Sequence, residues 1–400
     1  MSNTSVIDKL SKHILVDGFH IAVNQKKSLG SWIVDLDGNK YLDCYSQFAS
    51  QPLGWNHKVL VNAKQELGEV AMHKIANSDM YTEQYASFVE KFSGITPDFS
   101  HYFFIDGGAL AVENALKAAF DWKAKKLGLT SDEDINTLDV FHLGNAFHGR
   151  TGYTLSLTNT TPEKTALFPK FQWNRIWSIE DAEELMHDRV AAMVVEPIQG
   201  EGGDNHFVPE LFPLMRKWAD DNDAILIFDE VQTGVGLTGK MWCYEHFGIV
   251  PDMMCFGKKT QVCGFCATDR IDEVEHNVFN DSGRINSTWG GNIVDMVRFS
   301  HIMDAIEEEK LIDNAHEVGS HLENALNNLD VISNVRGMGL MIAFDLDTPD
   351  LRDRMVSLLQ EDMIVLKSGT HSIRLRPALT FSKQDADSAV TFISRAANKL

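Results

Sequence analysis

Short apolar runs punctuate the middle of the chain: 102–105 (YFFI), 138–142 (LDVFH), 191–195 (AAMVV), 224–228 (AILIF) and 252–256 (DMMCF). Runs of this length predict strands buried on both faces, as in a mostly parallel sheet. Helical patterns lie between them. Over 109–122, Val112, Ala115, Leu116, Ala119 and Phe120 recur at helical spacing, and 210–221 predicts a further helix. Strands alternating with helices predict an α/β domain with helices on both faces of the sheet.

The flanks read differently. SWIVDLDGNKYLDCY (31–45) predicts a hairpin with Asp37-Gly38 at its turn. From residue 293 onward a long helix over 293–328 is expected, then strand-like pieces at 331–346, 363–366 and 372–376, then a final helix. That pattern is a smaller α+β domain. The expected division is an N-terminal segment 1–55 packing with the small domain, a large domain 56–295, and the small domain 296–400.

Composition narrows the partners. The 400 residues carry 36 basic and 57 acidic side chains, a net charge of −21. That field repels nucleic-acid backbones and anionic membranes, so any anionic ligand must be held by local cations or helix ends. The start, MSNTSVIDKLSKHILVDGF, has no apolar stretch of signal-peptide length, and no run is long enough to span a bilayer. Five cysteines, an odd number, point to a reducing compartment and a cytoplasmic protein.

The candidate chemistry centres on PDMMCFGKKTQVCG (251–264). A buried strand ends on Gly257, followed at once by Lys258. A lysine just off a buried strand points into the crevice at the strands' C-terminal ends, where its amine can form an imine with an aldehyde. Its neighbour Lys259 reads as a structural or surface residue. Upstream, the strand ILIF ends on Asp229. An acid there either caps a loop or pairs with the protonated ring nitrogen of pyridoxal phosphate, making the ring an electron sink. Gln232 is within reach of that cofactor's phenolic oxygen on this reading.

Other pieces are weaker alone. DGGA (106–109) joins a strand to a helix; Gly107 and Gly108 allow a tight turn, and the helix N-terminus has the form of a phosphate cradle. Phe147, in AFHGR, is either a core ring or a flat face for a cofactor. Arg150 is either a carboxylate fork or a surface charge. Glu196 and Glu201 lie in the glycine-rich VEPIQGEGGD (195–204), and Arg374 and Arg376 in SIRLRPALT. Two motifs argue for other functions. GVGLTG (234–239) fits the dinucleotide fingerprint of a nicotinamide-dependent dehydrogenase, but DEVQT separates it from its strand and no helix pattern follows at once. Cys263 and Cys266 form CxxC without a second pair or histidine cluster, which favours two thiols in a strand over zinc.

These pieces occur together and in order, and so the chain resembles the class III, fold type I aminotransferases, in particular the L-lysine 6-aminotransferases. The matching stretches are FFIDGGALAVENALKAAFDW (103–122), AFHGRTGYTLSLTNT (146–160), VEPIQGEGGD (195–204), ILIFDEVQTGVGLTGKMW (225–242), FGKKTQVCG (256–264) and NSTWGGNIVDMVR (286–298). The resemblance spans nearly the whole chain. It implies a large domain with a mostly parallel seven-stranded sheet and a smaller α+β domain. It implies pyridoxal 5'-phosphate as cofactor and Lys258 as the Schiff-base lysine and proton shuttle. Asp229 would pair with the pyridine nitrogen and Gln232 would contact the cofactor oxygen. Gly108 and Ala109 would hold phosphate, and Phe147 would stack on the ring. Ser287 and Thr288 would serve the phosphate of a neighbouring subunit, making the active unit a homodimer. Arg374 would bind the α-carboxylate of glutamate or 2-oxoglutarate, with Glu201 masking it when the amino donor is bound. Arg150 would hold the distal carboxylate of lysine. One departure stands out: the family's RxxPPL becomes Arg374-Leu375-Arg376-Pro377-Ala378-Leu379, with one proline missing. The implied reaction moves the ε-amino group of L-lysine to 2-oxoglutarate. The alternatives are another ω-amine donor such as ornithine or 4-aminobutyrate, a dehydrogenase, or a catalytically dead scaffold.

Overall fold

The computed structural model describes residues 1–400. The chain packs as two compact units, Gln65–Met303 and a discontinuous unit of Met1–Lys64 with Asp304–Leu400. These bounds lie nine and eight residues beyond the expected 55/56 and 295/296.

The larger unit is built on seven strands: β1 (His101–Ile105), β2 (Asp139–Leu143), β3 (Arg175–Ile176), β4 (Val190–Val195), β5 (Ile225–Asp229), β6 (Met253–Phe256) and β7 (Cys263–Ala267). Their order across the sheet is β1-β7-β6-β5-β4-β2-β3. From β6 to β3 every neighbour is parallel, whereas β7 runs against both β6 and β1. All six residues of β4 are buried, which is why a central parallel strand reads as an unbroken apolar run. The two-residue β3 is too short to leave any periodicity in the sequence. Cys263 and Cys266 do lie in a strand, β7.

Strand side chains alternate between faces, so residues two apart share one. Val194, Ile225, Ile227, Met253, Cys255 and Phe265 form one apolar face. Against it packs α1 (Gly108–Lys126), through Ala111, Val112, Ala115, Leu116, Ala118, Ala119 and Trp122. The alanines let the helix lie close to the sheet. On the other side the core is aromatic: Phe92 meets Phe256 with ring centroids 4.7 Å apart and Phe299 at 6.2 Å.

In the other unit, the expected hairpin forms as Trp32–Val34 and Lys40–Asp43, turning at Gly38 with φ 97°. Leu42 and Asp43 pair in parallel with Met363 and Ile364. An antiparallel sheet holds Ser333–Met338, Met341–Asp345, Ser372–Leu375 and Leu366–Ser368 in that spatial order. The single helix expected over 293–328 is instead two, Ile293–Glu308 and Leu311–Leu326. Lys310 adopts a left-handed backbone (φ 51°) that breaks the hydrogen-bond ladder, a turn that apolar periodicity alone does not signal.

Gly264 fixes the place of β7. A Cβ there would lie 2.1 Å from the Phe103 carbonyl oxygen and 2.8 Å from the Phe256 ring. Neither the paired backbone nor the packed ring can withdraw cheaply. Gly264→Ala therefore lowers stability by about 1–3 kcal/mol, measured as the midpoint shift in urea unfolding.

Candidate active site

Parallel pairing brings the two predicted reactive groups to one end of the sheet. Cys255 of β6 stands in register with Asp229, the last residue of β5. The chain then runs through Phe256 and Gly257 to Lys258. Asp229 and Lys258 line one cavity of about 470 Å³. Gly257 has an ordinary extended φ, but a Cβ on it would press on Cys263 Sγ (3.0 Å) and Val231 (3.3 Å). Lys258 itself has φ 53°, a left-handed conformation costly for a lysine and typical of strain kept at a functional position. Lys259 is buried, and its Nζ donates to the Gln232 carbonyl oxygen at 2.6 Å. It is a structural residue that ties this turn to the loop after β5.

Gly108, Ala109, Phe147, Arg150, Glu201 and Gln232 line the same cavity. Gly107, with φ 109°, turns the chain into α1, whose first residue is Gly108. A Cβ at Gly108 would lie 2.9 Å from Val231, and one at Gly149 only 2.4 Å from the Ala109 methyl, so the walls meet closely at the helix N-terminus. Gly200 leaves room for the Gln232 amide, which a Cβ would meet at 2.3 Å. Arg150 is exposed. Three predicted residues are not part of the cavity wall. Ser287 is half-buried and Thr288 exposed, and Arg374 lies buried in the other unit, in strand Ser372–Leu375.

Two further residues belong to the site: His148, which carried no functional reading in the sequence, and Glu196, noted there as an acid of the glycine-rich loop. His148 is fully buried, and its Nδ1 bonds Asp229 Oδ2 at 2.8 Å. Asp229 Oδ1 accepts from the Val231 N–H at 3.1 Å. Burial opposes charge on the imidazole, but the hydrogen bond and charge of Asp229, with Glu196 beyond, outweigh it and hold His148 above its ordinary range. Glu196 accepts N–H bonds from Phe147 (2.8 Å) and Gly200 (3.2 Å). Burial pushes its carboxyl up to about 7, opposed by the His148 charge and those N–H bonds and reinforced by Asp229. The only sequence signal for His148 is its position one residue after Phe147. GVGLTG forms consecutive turns after β5 and opens no helix, so it lacks the context of a dinucleotide site.

The donor set tests the cofactor. The cavity combines unpaired N–H groups at the start of α1 for a phosphate, a carboxylate for a cationic ring nitrogen, an amine for an aldehyde and an aromatic face. That set fits pyridoxal phosphate. Sheet, crossover helices and donor set together define a pyridoxal-phosphate enzyme of fold type I.

Comparison with known proteins narrows the class. The sequence matches the aminotransferase class-III family over residues 16–397. It is 45% identical to the L-lysine-epsilon aminotransferase of Amycolatopsis lactamdurans, covering 94% of this chain and 92% of that one. The Saccharomyces cerevisiae 4-aminobutyrate aminotransferase is 31% identical, over 95% of this chain and 91% of that one. A solved structure of the Mycobacterium tuberculosis lysine aminotransferase superposes with a TM-score of 0.94 at 44% identity, covering 99% of each chain. The chain belongs to the class III aminotransferases.

Glu196 titrates with folding. Its proton is held more tightly in the folded chain (about 7) than at the ordinary value of 4.5. The carboxyl thus favours folding fully below pH 4.5 and loses that contribution as pH rises through 7. Glu196→Gln flattens the fall of Tm across this window; a slope equal to the parent's would refute the assignment.

Proposed function

We propose that this chain transfers the ε-amino group of L-lysine to 2-oxoglutarate, giving 2-aminoadipate 6-semialdehyde and L-glutamate. The observation that carries the reaction class is the Lys258 amine and the Asp229 carboxylate facing one cavity. The choice of lysine is supported by the margin between 45% identity to a lysine enzyme and 31% to a 4-aminobutyrate enzyme. Ornithine and 4-aminobutyrate are the competing donors.

Bound in this cavity, pyridoxal phosphate supplies an aldehyde that condenses with amines and a protonated ring that draws electrons from the attached carbon. The chain's residues do the rest. Lys258 holds the cofactor at rest. Its Nζ is the group that would take the proton from Cε of lysine and pass it on. Asp229, oriented by His148, keeps the ring nitrogen protonated. Gln232 binds the phenolic oxygen, and Phe147 covers one ring face. The start of α1, with Gly108 and Ala109, holds the phosphate; Ser287 and Thr288 reach the phosphate of a second copy, so the working unit is a homodimer. Five free cysteines support a cytoplasmic setting.

The two half-reactions present different groups at one place. Lysine brings an uncharged methylene chain near the ring, with its distal carboxylate on Arg150. Glutamate brings a carboxylate there, which Arg374 binds. Glu201 masks Arg374 in the first case and releases it in the second.

The deciding experiment combines purified protein with pyridoxal phosphate, L-lysine and 2-oxoglutarate, expecting glutamate and the cyclised semialdehyde in equal amounts. Ornithine or 4-aminobutyrate outpacing lysine would overturn the donor. Lys258→Ala abolishes turnover together with the visible absorbance of lysine-linked cofactor. Glu201→Ala lowers the lysine-to-glutamate ratio of kcat/KM by roughly tenfold, the equivalent of about 1.4 kcal/mol; an unchanged ratio would sink the masking role.

A further inference from the structure

A second cavity lies beside β2 and β3, the strands at one edge of the large sheet, and shares no wall residue with the catalytic one. Its volume is about 310 Å³. His142 of β2 and Arg175 of β3 are partners in the parallel register, so their side chains share a face of the sheet, and both line the cavity. The chain between Ser156 and Trp173 supplies the rest of the wall. Thr158 and Thr165 are buried in it, whereas Lys170 and Arg175 are exposed, which puts them at its mouth. The Phe171 N–H donates to Ser156 Oγ at 2.9 Å and ties the returning chain to the end of helix Gly152–Leu157. That bond sets Lys170 at the cavity, its Nζ 3.5 Å from Thr165 Oγ1.

The segment from Thr158 to Thr165 is a partition between the two cavities. Toward the catalytic side, Thr158 Oγ1 accepts the His148 N–H at 3.0 Å and donates to the Gly149 carbonyl at 2.7 Å. Lys164 Nζ forms an ion pair with Glu201 Oε1. His148, Gly149 and Glu201 all line the catalytic cavity. Thr158, Pro162 and Thr165 line the second one. The two spaces are therefore separate, and the second takes no part in the reaction proposed above.

The wall of the second cavity carries two cations and no carboxylate, in a chain where acids outnumber bases by 57 to 36. Neither Lys170 nor Arg175 is paired with an acid of the chain. His142 adds no third charge: burial above all, then the charges of His148 and Arg175, push it down to about 3. Two like charges brought to one concave space repel each other unless an anion lies between them. The Phe171 ring is stacked on Trp173, with centroids 4.9 Å apart, and gives the same wall an apolar surface that a bare inorganic ion leaves unused. We infer that this cavity is a ligand site for a small organic dianion, a dicarboxylate or a phosphomonoester. Its charge lies between Lys170 and Arg175, and its carbon skeleton rests on the Phe171–Trp173 pair.

The test uses the full chain loaded with pyridoxal phosphate, titrated by calorimetry with succinate, glycerol 3-phosphate and inorganic phosphate. At least one of the two organic anions binds, and the tighter of them assigns the class. The Lys170→Met/Arg175→Met double variant weakens that binding by about tenfold, the scale of two partly exposed charge contacts. Lys170→Arg, which keeps the charge, holds the parent's affinity. Both positions are exposed, so the double variant keeps the parent's unfolding midpoint and its kcat/KM for L-lysine. Binding that persists unchanged in the double variant belongs to the catalytic cavity and overturns the inference, as does a parent that binds neither organic anion. Inorganic phosphate binding as tightly as either of them overturns the organic character of the ligand. A double variant that folds but loses transamination overturns the separation of the two cavities.

Discussion

The site depends on keeping a carboxylate charged at the end of a buried strand. Asp229 closes β5 in surroundings that disfavour any isolated charge. The His148 imidazole offsets that cost at 2.8 Å, and the Val231 N–H adds a second donor. Glu196, beyond His148, is pushed up to about 7 by burial, which favours its neutral form beside the Asp229 carboxylate. Without the histidine, the buried carboxylate would lose its side-chain hydrogen-bond partner and keep only the Val231 N–H.

Around this pair the architecture converts chain direction into proximity. Because β5 and β6 are parallel and in register, residues far apart in sequence leave the sheet at the same edge. The reversed strand β7 then closes the side of the cavity with Cys263. The small residues of α1 let its N-terminus come down to that edge rather than stand off from it. A cation on the short turn after β6, an anion at the end of β5 and the N–H groups at the start of α1 thus converge at one end of the sheet.

Much of this was legible in the sequence because burial on both faces leaves an unmistakable signature. Strands β1, β2, β4, β5 and β6 and the helix α1 followed from apolar runs, and Lys258 and Asp229 followed from standing directly at the ends of two of them. What escaped the sequence is equally specific. β3 has only two residues, and the break at Lys310 depends on a backbone angle rather than on composition. His148 gave no signal because a histidine's meaning lies in its partner, and that partner, Asp229, is 81 residues away. Lys164 gave no signal at all: it lies on an irregular turn, and only the fold brings it to Glu201.

The two consecutive lysines after Gly257 are the same residue chemically and differ entirely in circumstance. Lys259 is sequestered, its ammonium committed to the carbonyl of Gln232. A slip of the chain by a single position would seat Lys259 where Lys258 now faces the cavity and would strand that carbonyl without its donor. Leaving a buried partner unsatisfied costs on the order of 1–3 kcal/mol. The second lysine therefore acts as an index mark for the chain: it removes the ambiguity that a doubled residue would otherwise create over which amine performs the chemistry.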